Sequence, residues 1–456
     1  MKTYDNYGDS GNEWIGELPT HWIQKKLKHL ATVQPSNVDK KSYEGELPTL
    51  LCNYMDVYKN DFILASLNFM EATATPDEIK KFKVDEGDVL VTKDSETADD
   101  IAIPAFVKDK LDGVTCGYHL TQIKPNKEKL LGGYLFRLFQ TPRFNNQFKV
   151  YANGVTRYGL SIYYFSNAVI PLPSVSEQES IIKFLDDKTS KIDNLMLRKR
   201  DMIALLEEEK TAVINDVVTK GLNIDAPMKN SGIEWLGMVP EHWQVKKLKY
   251  ITNQIIDGAH FTPTYVEEGV PFLRVTDVQS KDIDLKNVKR IPLKEHQALV
   301  KRCQPQKGDL LLSKNGTIGI TKVVDWDWDF SVFVSLCLIK FKVDLISPYY
   351  FSFFFQSDIT NQQIAEGSKK TSVTNLHLEK INELFIVLPP IAEQHIIINY
   401  LNGALGKIRH NIKLIEKEIE LMQEYRTALI SEAVTGKIDV RDYQPEPINS
   451  QALELA

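Results

Sequence analysis

From Leu401 the apolar positions advance by four residues and then by three, over and over: Leu401, Leu405, Ile408, Ile412, Ile415, Ile419, Met422, Arg426, Leu429 and Ala433. Only Arg426 interrupts the series. Earlier by 216 residues, the same series reads Leu185, Thr189, Ile192, Met196, Lys199, Ile203, Leu206, Lys210, Val213 and Val217, with three polar interruptions. A 4-3 spacing held this long predicts a coiled-coil seam. The stretch 185–217 as one helix spans about 50 Å at ~1.5 Å per residue. Two such helices in one chain are expected to pack on each other. Packed antiparallel, they put the segments that precede them at opposite ends of a pseudo-two-fold axis; packed parallel, at the same end. The spacing leaves both open. Lys199, Lys210 and Arg426 read as snorkelling residues or register markers.

The ends of these helices are locally specified. Ser176 and Glu179 have capping-box spacing, and Glu177 and Glu393 suit a helix N-terminus; the Glu177-Gln178 and Glu393-Gln394 pairs read as caps. Pro173, Pro389 and Pro390 keep the upstream chain extended, and Gly221 and Gly436 close the helices. Ahead of each helix lie short apolar runs broken by turn residues. DVLVT (88–92), AIPAFV (102–107), FLRVTDV (272–278), DLLLS (309–313) and LCLIKFKV (336–343) predict strands. GGYLFRLFQTPRFNNQF (132–148) and SPYYFSFFFQSDITNQQI (347–364) predict helical segments. The expected fold class is therefore α/β (α+β), with two similar mixed domains and two long helices. The expected boundaries are 1–175, a helix at 176–221, 222–390, a helix at 391–437, and a flexible tail at 438–456.

The two halves repeat in sequence as well as in pattern. SGNEWIGELPTHWIQKKLKHL (10–30) and SGIEWLGMVPEHWQVKKLKYI (231–251) share twelve of 21 positions at an offset of 221. The repeated Trp14/Trp235 and Trp22/Trp243 read as core anchors of a shared frame. EGDVLVTKD (86–94) matches KGDLLLSKN (307–315) at the same offset, and VIPLPSVSEQESIIKFL (169–185) matches FIVLPPIAEQHIIINYL (385–401) at 216. The first copy is thus longer by five residues between these motifs, as loops on a common frame allow.

Composition narrows the function. The net charge is −6, so phosphate contacts must come from local clusters such as Lys25/Lys26/Lys28 and Lys246/Lys247/Lys249, or from a partner. No apolar run reaches the ~20 residues of a membrane span, and the first residues lack a signal-peptide core, so the expected location is cytoplasmic, off the membrane. Cys52, Cys116, Cys303 and Cys337 have no CxxC pairing and read as reduced core thiols. GxGxxG, Walker A, HExxH and NPPY-like motifs are absent, so no cofactor, metal or catalytic site is expected. The nearest nuclease-like pattern, Pro76-Asp77-Glu78-x-Lys80, has its acids too close for separated metal ligands and reads as a helix start.

The repeated W-x-G-x-x-P-x-H-W opening, IDGAHFTPTY (256–265), GVPFLRVTDV (269–278), GDLLLSKNGTIG (308–319), the P-x-x-x-EQ helix start and TGKID (435–439) occur in a fixed order. In this order the chain resembles a specificity subunit of a Type I restriction–modification system over nearly all of 10–440. The resemblance implies two target-recognition domains joined by an antiparallel pair of helices that acts as a ruler. Each domain would read one half of a bipartite site in double-stranded DNA. Two DNA-methyltransferase subunits would dock on the chain, and restriction motor-nuclease subunits could join. Adenine methylation and ATP-dependent cleavage would belong to those partners, leaving this chain non-catalytic. The first half departs from the pattern: VQPSNVDKK (33–41) stands for IDGAHFTP, and KDSETA (93–98) for KNGTIG.

Readers of DNA are expected among side chains with hydrogen-bonding reach in the loops that do not repeat. These are 92–97 with 153–164, and 313–319 with 367–377. The candidates are Lys93, Ser95, Thr156, Arg157 and Tyr158 in the first half, and Lys314, Asn315, Thr317, Lys369, Lys370, Thr371 and Ser372 in the second, with His260 and Arg274 beside them. The bland reading of each loop is a solvated turn, and His260 also suits a turn bonded to backbone. Two rival functions stand against DNA recognition: a coiled-coil scaffold that binds no DNA, and a cryptic endonuclease.

Overall fold

A computed structural model of the chain describes residues 2–280, 282–366 and 375–445. It divides into two compact units, Met1–Lys199 with Lys417–Ala456, and Arg200–Glu416. Each long helix thus gives one part to each unit.

In the first unit a mixed five-stranded sheet runs in the order Ala31–Pro35, Leu120–Pro125, Val89–Thr92, Pro104–Val107 and Phe62–Ile63. A second sheet holds Val114–Cys116, Leu47–Cys52 and Met70–Ala74. The central strand Val89–Thr92 is buried on both faces, which explains a continuous apolar run rather than an alternating one. The second unit repeats the plan with Thr252–Asp257, Leu336–Phe341, Leu310–Ser313 and Thr321–Val323 in one sheet, and Arg290–Ile291, Val270–Leu273 and Ser331–Val332 in another. Two readings of the sequence are refined and a third holds. FLRVTDV is a strand only to Leu273; at Arg274 the Asp277 carboxylate accepts the backbone N–H (2.8 Å), which turns the chain into the short helix Val275–Val278. The segment 132–148 is two helices, Gly132–Phe139 and Pro142–Lys149, because proline suits a first helical turn and not an interior. Pro76–Phe82 is a helix start as expected, capped reciprocally by Thr75 and Glu78.

The long helices are Val175–Lys220 and Ile391–Val434. In the first unit, Ile181, Phe184 and Leu185 share a core with Leu429, Ile430, Ala433 and Val434. Farther along, Arg426 donates to Asp193 (2.8 Å), and Lys199 pairs with Glu418. Residue numbers rise on one helix as they fall on the other, so the pair is antiparallel. In the second unit Val213, Ile214, Val217 and Val218 pack with Ile397, Leu401, Leu405 and Ile408. The charged interruptions are ion-paired: Arg426 also bonds Asp61 (2.9 Å), and Lys210 bonds Glu207 (2.8 Å).

The Glu-Gln pairs lock each helix to its domain instead of capping it. Ser174 lies just ahead of the first helix, and its Oγ and carbonyl accept the Glu177 N–H (3.3 and 3.0 Å). The Glu177 carboxylate is thereby free to accept from Trp22 Nε1 (3.0 Å) and Tyr4 OH (2.6 Å), with His21 Nε2 at 3.1 Å. In the second unit Glu393 accepts from Trp243 Nε1 (3.0 Å), with His242 Nε2 at 2.8 Å. Gln178 accepts from Leu131 N (2.8 Å) and donates to the carbonyls of Lys129 and Pro173 (3.0 and 3.1 Å). Gln394 repeats this with Ser347 N, Leu345 O and Pro389 O, at 2.8, 2.8 and 2.9 Å. Both glutamines are fully buried, where a missing partner is costly. The repeated Trp-His openings are therefore structural: Trp22 and Trp243 are buried, and their donors hold the two helices.

Candidate nucleic-acid interface

The frame brings the non-repeating loops together within each unit. In the first, Leu120 pairs with Thr92, so Lys93 N donates to His119 O (3.1 Å). Leu160 N donates to Lys93 O (2.8 Å), and Tyr158–Gly159 pairs antiparallel with Asp94–Ser95. In the second unit Lys314 N donates to Ser335 O (3.0 Å) and Leu376 N to Lys314 O (2.8 Å), with a bridge between Asn315 and Asn375. The segments 92–97 and 153–164 therefore adjoin, as do 313–319 and the described end of 367–377.

The loops differ in how they turn. Ser313 Oγ donates to Thr317 O (2.7 Å) and accepts from Ile320 N (2.8 Å), closing a tight loop with Gly316 and Gly319 at φ +70° and +99°. Thr92 makes the equivalent bonds to Asp100 O (2.6 Å) and from Ile103 N (2.9 Å) around a longer loop. There Ala102 takes the left-handed position, at φ +61°. The first half lacks both glycines of the turn because added length replaces the tight geometry.

The candidate residues fall into several environments. Thr156 and Arg157 are exposed, and Arg157 Nη2 lies 2.9 Å from Asp94 Oδ1. Lys93 is half-buried; its ammonium donates to Ser36 O (2.8 Å) and lies over the Tyr118 ring at 4.7 Å. Burial lowers its pKa, partly offset by Asp94. Ser95 is buried and shares a hydrogen bond with Tyr54 OH (3.0 Å), and Tyr158 is half-buried. In the second unit Lys314 is buried, 3.3 Å from Asp257. Asn315 is half-buried and Thr317 exposed. His260 is exposed, 3.5 Å from Asp257, and Arg274 is tied to Asp277 at 3.1 Å. Lys369, Lys370, Thr371 and Ser372 lie outside the described residues.

Sequence reasoning missed several groups at this site. His119 Nδ1 lies 2.7 Å from Asp94 Oδ1, and desolvation lowers the imidazole pKa, with Asp94 opposing it. Tyr54 and Tyr58 stack at 5.4 Å, and Tyr118 sits edge-on to His119 at 4.6 Å. The i, i+4 tyrosine pair was a visible signal. The position of His119 depends on the strand register and left none.

Each unit is a mixed α/β domain packed on parts of two long helices, and each presents a polar loop cluster. The family described as Type I restriction modification DNA specificity domain matches residues 19–203 and 240–421, and the chain belongs to it. The MjaVIII specificity subunit of Methanocaldococcus jannaschii is 25% identical over 93% of this chain and 95% of its own. The EcoKI specificity subunit of Escherichia coli is 20% identical over 93% and 90%. A solved structure from a study of assembly and conformational transition in the type I R-M system aligns with TM-score 0.66 and 18% identity, over 92% of this chain and 99% of that one.

Proposed function

We propose that the chain is the non-catalytic sequence reader of a type I restriction–modification complex, with each domain reading one half of a bipartite duplex site. The observation that carries this reading is the convergence of the non-repeating loops at equivalent places on a repeating frame. A frame that repeats while its loops diverge suits one docking geometry and two different targets. The long helices serve as ruler and as scaffold for two methyltransferase subunits, through which motor-nuclease subunits join. Large apolar side chains left exposed on them support the docking role: Leu195 and Leu197 in the first unit, Met202 and Leu205 in the second. The match to the specificity-domain family over both halves favours this reading over the cryptic endonuclease. Among the described residues no helix is long and apolar enough to cross a membrane.

The test is long-read methylome sequencing of a host expressing the chain with its methyltransferase partner. The expected result is one motif in two parts with a fixed spacer. Deleting one helical turn from each long helix is expected to change the spacer or abolish methylation while both half-sites keep their bases. A contiguous motif, or an active variant with an unchanged spacer, contradicts the reading.

A further inference from the structure

The geometry points to Asp94 and Asp257 as positioning residues for the more exposed side chains beside them; in the first unit Asp94 holds Arg157 toward the acceptor edge of a guanine. This assignment rests on the function proposed above and names residues and a target for it.

The two sites share an architecture but not its residues. Lys93 and Lys314 occupy the same place, each with its N–H on the neighbouring strand and its carbonyl on the incoming loop. Each has a carboxylate beside it, reached from a different position. In the first unit it is Asp94, the residue after the lysine; the second unit has Asn315 there. In the second unit it is Asp257, at the end of Thr252–Asp257, one strand removed in the same sheet; the first unit has Ser36 there, whose carbonyl accepts from Lys93 instead. Both carboxylates are largely covered, with side chains 17% and 9% exposed. Both lie beside more exposed side chains: Arg157 at 48% and His119 at 33% in the first unit, and His260 at 58% in the second. In both units the carboxylate is thus more covered than the nitrogen-bearing side chain outside it. His119 and His260 each line a small cavity, of about 190 and 200 Å³.

A covered carboxylate is a poor element for a phosphate clamp, because it repels the phosphate. Beside an arginine it suits base reading, because it draws the guanidinium to one place and leaves other donors free. Arg157 uses Nη2 on Asp94 and keeps further donors of its five for a second partner. An outer group that only donates fits a pair of acceptors, and in the major groove that pattern is guanine O6 and N7.

The test compares wild type, Arg157→Ala, Arg157→Lys, Asp94→Asn, Asp94→Glu and Asp257→Asn in complex with the methyltransferase subunit, by methylome sequencing and by methylation rates on matched duplexes. Arg157→Ala, at an exposed side chain, is expected to relax one G·C position in one half-site by about 10- to 100-fold in discrimination. Arg157→Lys should not restore it, since a point charge lacks the fork. Asp94→Asn is expected to relax the same position more weakly, with partial rescue by Asp94→Glu. Asp257→Asn should act only in the other half-site. A two-part motif that Arg157→Ala leaves unchanged overturns the assignment alone. So does a uniform loss across all sequences with a shallower salt dependence, the mark of a phosphate contact. A wild type without a two-part motif overturns the proposed function and this assignment with it.

Discussion

Glu177→Ala is expected to lower stability by about 3–5 kcal/mol, seen as an earlier unfolding transition in urea followed by tryptophan fluorescence. The side chain is 3% exposed, and it is the acceptor for Trp22 Nε1 and Tyr4 OH, whose residues are 6% and 5% exposed. Removing it leaves two buried donors without an acceptor, each costing about 1–3 kcal/mol. Burial and the bond to Glu177 push the Tyr4 phenol well above its ordinary range, so it stays a neutral donor at any working pH. The pseudo-equivalent Glu393→Ala is expected to cost only about 1–2 kcal/mol, because water can substitute where the partner is accessible. That carboxylate is 27% exposed, and His242 51%. Equal losses from the two substitutions would contradict this account of the lock.

Gly436→Ala should destabilise the first unit by about 2–5 kcal/mol, combining the cost of a left-handed residue with overpacking. Gly436 has φ +68°, and an added Cβ would stand 2.5 Å from Pro19 Cδ and 3.3 Å from Trp22. The methyl therefore meets a rigid ring beside the tryptophan that Glu177 holds. Gly221 also lies at positive φ, but its nearest neighbour would be Trp243 Cζ2 at 3.0 Å. Gly221→Ala is expected to cost less, about 1–3 kcal/mol. Thermal unfolding of the two variants beside wild type checks the ranking, and a larger loss at Gly221 would contradict it.

Much of the frame was legible because it rests on periodicity. The 4-3 series marks two helices whatever surrounds them, and strands such as Leu310–Ser313 announce themselves as buried apolar runs. The direction of the helix pair was not legible, since a seam has the same spacing either way; the Arg426–Asp193 and Lys199–Glu418 pairings decide it. The role of Glu177 was misread as a cap because helix-start chemistry is local, whereas its partners Tyr4 and Trp22 lie more than 150 residues away. The repetition of Glu393 alongside a repeated Trp-His was the available clue. At the candidate interface, loops that fail to repeat could be picked out by comparing the halves. Asp94, His119 and Arg157 could not be joined, because strand register and loop pairing, not sequence spacing, bring them within 2.9 Å. The carboxylate in the second unit came from a different strand position, so no alignment of the halves would have matched it to Asp94.

The most direct test of two independent readers is the methylation motif of loop variants. Wild type should be compared with chains altered in 92–97 or 153–164, and with chains altered in 313–319 or 367–377. Each chain is expressed with the methyltransferase partner, and its host genome read by long-read methylome sequencing. The account predicts that the first group changes one half-site, the second group changes the other, and the spacer stays fixed throughout. Both half-sites changing together, or an unchanged motif in every active variant, would contradict it.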